Sequence, residues 1–315
     1  MRDLGKVATR DAYGKTLVEL GKENHKIVVL DADLSCSTKT CLFAKEFPER
    51  FINAGVSEQD MIGMAAGLAT TGKIVFASTF SCFASGRAWE QIRVSIAYPR
   101  LNVKIVATHG GITTGEDGVT HQATEDIAIL RAIPNLTVIV PADAVETANA
   151  VRAAVAYHGP VYIRLMRPAV PILYESADYG FKIGKGVVLR EGKDITLIAN
   201  GLMVGECLKA AEELKKKGIS AEVVNIHTIK PLDAELIIKS AKKTKAVLVA
   251  EEHSVIGGLG GAVAEVLGEN YPTKLARIGL RDMFAESGKS SDLLIKYGLT
   301  AKNIVDSALH LLKKR

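Results

Sequence analysis

Cysteines are few in this sequence, and long apolar runs are lacking. The 315 residues include four cysteines (Cys36, Cys41, Cys82 and Cys207), which show neither metal-ligand spacing nor the pairing pattern of a disulfide-rich secreted domain. This usage predicts a reducing, cytoplasmic compartment. No apolar run approaches the roughly 20 residues that a membrane-spanning helix needs, and the N-terminal stretch lacks the apolar core of a signal peptide. We therefore expect no membrane partner.

The net charge is small for this length, and the basic residues are dispersed. Together, 40 Lys and Arg against 35 Asp and Glu give a net charge of +5. A nucleic-acid-binding surface requires a basic stripe with interleaved aromatic residues, and the sequence shows neither. We therefore expect no nucleic-acid partner.

Short β-branched runs alternate with helical stretches along the chain. Apolar runs of this kind, without polar alternation, are typical of parallel strands covered on both faces. The first set of predicted strands is 26–33, 73–79, 103–110, 136–143 and 161–167, with helices at 8–23, 58–71, 84–98 and 143–157. After a stretch rich in proline and glycine, strands follow at 195–200, 221–226, 246–252 and 274–279, with helices at 204–217, 232–241, 259–268 and from about 301. The pattern predicts an α/β fold of two doubly wound domains with mostly parallel sheets, at 1–170 and 191–315, joined by a linker at 171–190.

Two segments carry candidate chemistry. The loop GEDGVTHQ (115–122) sets Glu116, Asp117 and His121 between glycines, beyond a predicted strand, where doubly wound folds bind their ligands. The segment GVSEQDMIGMAAGLA (55–69) places Glu58 at the start of a small, apolar helix, and Ser57 and Asp60 have the spacing of a capping box. Tight packing of that helix predicts partial desolvation of Glu58 and a raised proton affinity, which suits a group that holds or shares a proton.

The sequence resembles the C-terminal half of transketolase, and most closely the shorter chain of split transketolases. The matching stretches occur in the family's order: VATRDAYGK, DADLSCST, GVSEQ, STFSCF, THGGITTGEDGVTHQ, RAIPN, VIVPAD and the arginine after the fifth strand. The resemblance implies a transferase of the pentose phosphate pathway that uses thiamine diphosphate to move a two-carbon ketol unit between ketose and aldose phosphates. The first domain would be the pyrimidine-binding domain, and the last the transketolase C-terminal domain.

The resemblance also implies roles for the residues at matching positions. The catalytic residues would be Glu58, which hydrogen-bonds the aminopyrimidine of the cofactor, and His121, near the scissile bond of the donor. Cofactor-binding residues would be Glu58, Phe80, Phe83 and Asp33. Substrate-binding residues would be Asp117, for a donor hydroxyl, and His109, Arg167, Arg10 and Ser37, for the phosphate of the acceptor.

The Gly-Asp-Gly motif, with which full-length transketolases bind the diphosphate and its metal, is absent from this sequence. The resemblance therefore implies a separate N-terminal subunit that holds the diphosphate with magnesium or calcium, and a heterotetramer with two copies of each chain. The small residues of the helix after Glu58 fit such an interface, although packing within one subunit would look the same.

Other interpretations stay open. The chain is also similar in layout to the β-type subunit of 2-oxoacid dehydrogenases and to half of a deoxyxylulose-phosphate synthase, and a non-catalytic assembly partner would need none of the retained acids and histidines. A glycine-rich turn in HSVIGGLGGAVAE suggests dinucleotide binding, but its glycines miss the G-x-G-x-x-G spacing. We interpret the second domain as structural and dimerising.

Overall fold

The computed structural model describes residues 4–313, and its N-terminal unit comprises the elements from β1 to β8. The strands are β1 (Lys6–Ala8), β2 (Ile27–Asp31), β3 (Phe51–Asn53), β4 (Ile74–Phe80), β5 (Val103–Thr108), β6 (Thr137–Ile139), β7 (Val161–Arg164) and β8 (Ala169–Pro171). The helices are α1 (Thr9–Glu23), α2 (Ser35–Thr38), α3 (Cys41–Glu46), α4 (Glu58–Thr70), α5 (Ser81–Gly86), α6 (Trp89–Gln91), α7 (Asp126–Arg131) and α8 (Ala144–Ala156). Irregular helical turns occur at Pro48–Arg50, Ile92–Ala97 and Ile112–Asp117.

The C-terminal unit comprises the elements from β9 to α13. Its strands are β9 (Val187–Arg190), β10 (Ile195–Ala199), β11 (Ala221–Asn225), β12 (Thr228–Lys230), β13 (Ala246–Ser254) and β14 (Lys274–Leu280). Its helices are α9 (Met203–Lys216), α10 (Ala234–Thr244), α11 (Leu259–Asn270), α12 (Ser290–Lys296) and α13 (Ala301–Lys313). The sheet of this unit has the order β14-β13-β10-β11-β9, and its strands are parallel except for β9, which pairs antiparallel with β11.

The sheet of the N-terminal unit has the order β12-β6-β7-β5-β4-β2-β3. Its strands pair in parallel, apart from β12, and β2 and β5 are buried along their whole length, as apolar runs covered on both faces predict. After β2 the chain moves to β3 on one side, whereas after β4 it moves to β5 on the other. Neighbouring loops thus diverge at the carboxyl ends of β2 and β4, which is where open α/β sheets form a ligand crevice.

The two units share both a sheet and a core. Strand β12 follows β11 in the sequence but pairs antiparallel with β6 of the N-terminal unit. One continuous apolar cluster also runs from Met61 and Ile92 of the N-terminal unit to Ile198 and Val247 of the C-terminal unit. The predicted two doubly wound, mostly parallel sheets are confirmed, and the shared strand is an addition that the sequence did not reveal.

Several local predictions differ from the structure. Within the predicted linker 171–190, Val187–Arg190 forms the edge strand β9. The helix predicted over 84–98 is instead divided into α5, α6 and the turn Ile92–Ala97, with a break after Gly86. Among residues 4–313, no helix is both long enough and apolar enough to span a membrane.

Candidate active site

The predicted site residues of the N-terminal unit converge at the carboxyl ends of its parallel strands. The segment after β2 carries Asp33 and, in α2, Ser37, and β4 ends at Phe80. His109 follows β5 directly and leads into the Ile112–Asp117 turn, and Arg167 lies three residues beyond β7. The strand order places these four chain segments side by side, because β2, β4, β5 and β7 are consecutive neighbours in the sheet.

Two phenylalanines and two histidines form the centre of the site. The rings of Phe80 and Phe83 are nearly parallel, with centroids 5.8 Å apart. His109 stacks on Phe80 at 3.8 Å, and His121 meets Phe83 edge-on at 5.3 Å. This arrangement combines flat apolar surfaces with imidazole nitrogens, so it can hold a heteroaromatic ring and contact polar substrate groups beside it.

His109 is held in a strained and largely buried conformation. Its φ angle is +61°, a region that residues other than glycine seldom adopt, and its Nδ1 lies 2.8 Å from the hydroxyl of Thr108. Burial lowers the pKa of His109 to about 3, and the charges of Arg10 and Arg167 act in the same direction. The ring is therefore neutral at neutral pH, and strain of this kind is characteristic of functional sites.

Glu58 lies at the first position of α4 and is 4% exposed, so its predicted desolvation is confirmed. Its carboxylate receives two hydrogen bonds from Nη1 of Arg87, at 3.1 Å to Oε1 and 3.3 Å to Oε2. The Arg87 guanidinium lies 4.4 Å from the centroid of the Phe83 ring. A continuous series of contacts thus links the buried acid to the aromatic centre. The raised proton affinity expected for Glu58 stays a prediction.

The predicted capping box at the start of α4 is wrong. The side chain of Ser57 makes no capping bond and instead donates a hydrogen bond to the carbonyl of Ala54, at 2.9 Å. The backbone of Ser57 (φ −151°, ψ 76°) turns its hydroxyl back into the preceding loop.

A positively charged cavity adjoins the aromatic centre. It has a volume of about 290 Å³ and is lined by Arg10, Gly115, Glu116, Arg167, Pro168, Gly288, Lys289 and Ser290. Nη1 of Arg10 donates to the backbone carbonyl of Ser37 at 3.0 Å, while its buried Nε has no hydrogen-bond partner. Arg167 donates to the carbonyl of Thr114 and lies 3.6 Å from the carboxylate of Asp117. An unpartnered guanidinium nitrogen beside a second guanidinium favours an anionic ligand.

Of the two predicted site residues after β2, Asp33 points to solvent, whereas Ser37 contacts Arg10 through its backbone. Asp33 is exposed with φ +62°, and its carboxylate accepts a hydrogen bond of 2.9 Å from Asn53. Ser37 contributes its backbone carbonyl to Arg10. Buried Asp31 fixes the segment after β2, because its carboxylate accepts hydrogen bonds from the hydroxyls of Thr38 and Thr40 and from the amide of Leu34.

Sequence reasoning did not find the contributions of the C-terminal unit. Lys289 and Ser290 line the cavity, and Glu252 touches the loop that carries Asp117 and His121. For Glu252, the signal in the sequence was a pair of carboxylates, Glu251 and Glu252, at the end of an apolar run. Lys289 and Ser290 had no such signal.

The glycine-rich turn after β13 has a structural explanation. The carboxylate of Glu251 accepts hydrogen bonds from the amides of Leu259 (2.7 Å) and Gly260 (2.8 Å), at the start of α11. These are the amides to which a dinucleotide pyrophosphate would bind, so the helix start is already capped. Across residues 4–313, no group of three or more His, Cys, Asp or Glu side chains could hold a metal ion.

Comparison with known families matches both units. Residues 5–172 match the family model of the transketolase pyrimidine-binding domain, and residues 184–304 match that of the transketolase C-terminal domain. The putative transketolase C-terminal section of Methanocaldococcus jannaschii is 59% identical over 307 residues, which cover 97% of this chain and 96% of that protein. The 6-deoxy-6-sulfo-D-fructose transketolase subunit SqwH of a Clostridium species is 50% identical, over 95% of this chain and 92% of that protein. A subunit of the apulose-4-phosphate transketolase of Phocaeicola vulgatus is 41% identical, over 98% of both chains.

Solved structures agree with these matches. A split-gene transketolase described as an inactive beta4 tetramer superposes with a TM-score of 0.92 at 56% identity, over 98% of this chain and 100% of that chain. Transketolase from Leishmania mexicana superposes with a TM-score of 0.86 at 28% identity, and this chain covers 47% of its length. The chain therefore belongs to the transketolase family, as a subunit that corresponds to the C-terminal half of the full-length enzymes.

Proposed function

We propose that this chain is the C-terminal subunit of a split transketolase that uses thiamine diphosphate to transfer a two-carbon ketol unit between ketose and aldose phosphates. The observation that carries the proposal is the series of contacts from buried Glu58, through Arg87 and Phe83, to His121. This series joins a candidate proton-holding acid, an aromatic surface and a candidate substrate-binding imidazole within one crevice.

The side chains of Phe80, Phe83 and Glu58 fit the pyrimidine ring of thiamine diphosphate. Phe80 and Phe83 offer ring faces for stacking, and Glu58 offers a buried carboxyl group for a ring nitrogen. When bound, the cofactor supplies a carbon nucleophile for the donor's carbonyl group. Because the sequence lacks the Gly-Asp-Gly motif, we assign the diphosphate and its divalent cation, magnesium or calcium, to a separate N-terminal subunit. Asp33 is exposed in the segment after β2, and we assign it to cofactor binding in the assembled enzyme.

The side chains around the cofactor divide the remaining tasks. His121 and Asp117 belong to one loop, so they contact the donor together, with His121 near the reacting carbon atoms and Asp117 at a hydroxyl. Neutral His109 can donate or accept a hydrogen bond without adding charge to the site. Arg10 and Arg167 hold the anionic end of the sugar, with the Ser37 segment fixing Arg10.

The charge of the cavity supports a substrate with an anionic terminus. Arg10, Arg167 and Lys289 oppose a single lining carboxylate, Glu116. A phosphate monoester carries about −1.5 to −2 charges at pH 7, which matches this excess. Two relatives are named for sugars with a sulfonate or a phosphate group, so both kinds of anionic terminus occur among similar proteins.

The assembly that we propose contains two copies of each chain. Glycines at 63 and 67 leave one face of α4 open, since a methyl group added at either would meet no atom within 4 Å. A helix with small residues on its exposed face allows another backbone to approach closely. The solved beta4 tetramer is described as inactive, which supports the view that this type of subunit requires a partner chain.

A mixing experiment tests the proposed function. The purified chain is combined with the N-terminal subunit from the same organism, thiamine diphosphate and magnesium, and ketol transfer from xylulose 5-phosphate to ribose 5-phosphate is measured. We expect turnover only when both chains are present. Turnover of pyruvate instead would identify a 2-oxoacid dehydrogenase subunit or a deoxyxylulose-phosphate synthase half, and a tight complex without turnover would identify an assembly partner.

A substitution of Lys289 tests whether the cavity binds the phosphate group of the substrate. Replacing Lys289 with glutamine should raise the KM for ribose 5-phosphate about five- to tenfold at unchanged kcat, because one charge-assisted contact is lost. The KM for an unphosphorylated aldose should not change. Lys302→Gln on α13 is the matched control, since Lys302 is an exposed lysine that pairs with Asp306 and does not line the cavity. Equal KM values for Lys289→Gln and wild type would remove Lys289 from substrate binding.

A further inference from the structure

The loop that carries Asp117 and His121 (residues 111–122, the substrate loop) is hydrogen-bonded to side chains of the C-terminal unit. The amide of Thr113 donates a hydrogen bond of 2.6 Å to Oε1 of Glu252, and the hydroxyl of Ser290 donates one of 2.9 Å to the carbonyl of Thr113. Both backbone groups of one loop residue are thus held by side chains from the other unit.

Glu252, which accepts the hydrogen bond from the Thr113 amide, is a buried carboxyl group with one unpartnered oxygen. It is 3% exposed near the end of β13, and its Oε2 is buried with no hydrogen-bond partner. Burial raises the pKa of Glu252 to about 7, with a smaller contribution from Asp126, while Arg164 and the bond from Thr113 oppose the rise. The loop packs directly against this carboxyl group, because a Cβ atom at Gly111 would lie 2.3 Å from it.

We propose that Glu252 is a positioning residue for the substrate loop, so that the C-terminal unit takes part directly in substrate binding. Thr113 lies at the start of the Ile112–Asp117 turn, four residues before Asp117. The next residue, Thr114, accepts a hydrogen bond from Arg167. A displacement of Thr113 therefore moves the donor-binding carboxylate and a wall of the anion cavity together. Where it concerns substrates, this inference rests on the proposed function.

The protonation state of Glu252 gives the role a measurable signature. An ionised carboxylate makes a stronger, charge-assisted bond to the Thr113 amide than a neutral carboxyl or amide oxygen makes. Glutamine at position 252 keeps a neutral acceptor at every pH, so it imitates the protonated form. The advantage of the wild type over Glu252→Gln should then exist only above the pKa of Glu252.

The kinetic test compares the two-chain complexes over pH 5.5–8.5, a range chosen to span about one and a half units on either side of that pKa. At high pH we expect kcat/KM of the wild type to exceed that of Glu252→Gln about five- to tenfold, and the ratio to approach one below pH 6. Glu252→Ala should lose activity at every pH, because it leaves the Thr113 amide unpaired. Glu251→Gln is the matched control, since Glu251 is an equally buried neighbour on β13 that caps α11 and does not touch the loop. A ratio that is flat with pH for Glu252→Gln, or that falls equally for Glu251→Gln, would overturn the inference.

A second measurement is independent of catalysis. Hydrogen–deuterium exchange of the full-length chain alone should show the amides of residues 111–122 exchanging about tenfold faster in Glu252→Ala than in the wild type, with Glu251→Gln unchanged there. Unchanged exchange in Glu252→Ala would overturn the positioning role. Faster exchange, together with a wild-type complex that transfers no ketol unit, would retain the role and reject the proposed function, so the two failures are distinguishable.

Discussion

Replacing Glu58 with glutamine is expected to lower kcat of the proposed two-chain enzyme about 10²- to 10⁴-fold. Glutamine has nearly the same size and can still form hydrogen bonds, but it cannot hold and release a proton at the pyrimidine nitrogen. The position is buried at the start of α4, so no water molecule can readily replace the carboxyl group. The measurements are kcat, and the Kd of thiamine diphosphate by titration calorimetry, which should change far less than kcat.

Asp60→Asn is the control for this substitution. Asp60 lies in the same first turn of α4 but is exposed, so its neutralisation tests the general effect of removing a negative charge from the helix start. We expect wild-type kcat for Asp60→Asn, and thermal unfolding and complex formation close to wild type for both variants. Wild-type kcat in Glu58→Gln would remove Glu58 from the catalytic role.

Replacing His121 with alanine is expected to lower kcat/KM about 10²- to 10⁴-fold. The ring is oriented by its edge-on contact with Phe83 and by a contact of 2.9 Å between Nδ1 and the hydroxyl of Thr120. Both contacts leave Nε2 as the nitrogen that contacts the substrate in the function we propose. The measurement is steady-state kinetics of the two-chain enzyme with both sugar phosphates.

Thr120→Val tests the hydrogen-bonded support of the His121 ring without removing the ring. Valine has a similar shape but gives Nδ1 no partner, so the ring is retained while its orientation is less well fixed. We expect a loss of about tenfold in kcat/KM, which one hydrogen bond can account for. If His121→Ala loses no more activity than Thr120→Val, His121 acts only through packing.

The sequence predicted the central strands well because each is rich in β-branched and other apolar residues, although β4 includes Ser78 and Thr79 and β5 includes Lys104. Strands β2, β4 and β5 carry the core of the N-terminal sheet, and their runs have few competing interpretations. The short strands β9 and β12 were missed because their pairing depends on distant partners, β11 and β6. No local pattern of three or four residues contains that information.

In the candidate site, too, some residues could be placed from the sequence, whereas contacts between distant segments could not. Residues at or directly after the carboxyl ends of predicted strands, such as Phe80 and His109, could be placed at one edge of the sheet from the alternation of strands and helices. The partner of Glu58 could not, since Arg87 lies 29 residues further along the chain and meets it only after α4 and β4 pack. Glu252 was likewise outside prediction, because its contact with Thr113 joins two units of the chain.

The placement of β12 has a consequence for exchanging parts between related enzymes. Three residues from the second half of the chain cover an edge of the first sheet, and without them β6 would present bare amide and carbonyl groups to other molecules. A chimera joined within 171–190 would therefore inherit a foreign edge strand and a foreign partner for the substrate loop. The two halves of the chain are therefore not independent modules. A chimera that keeps the N-terminal sheet intact must take residues 228–230 from the same parent as that sheet.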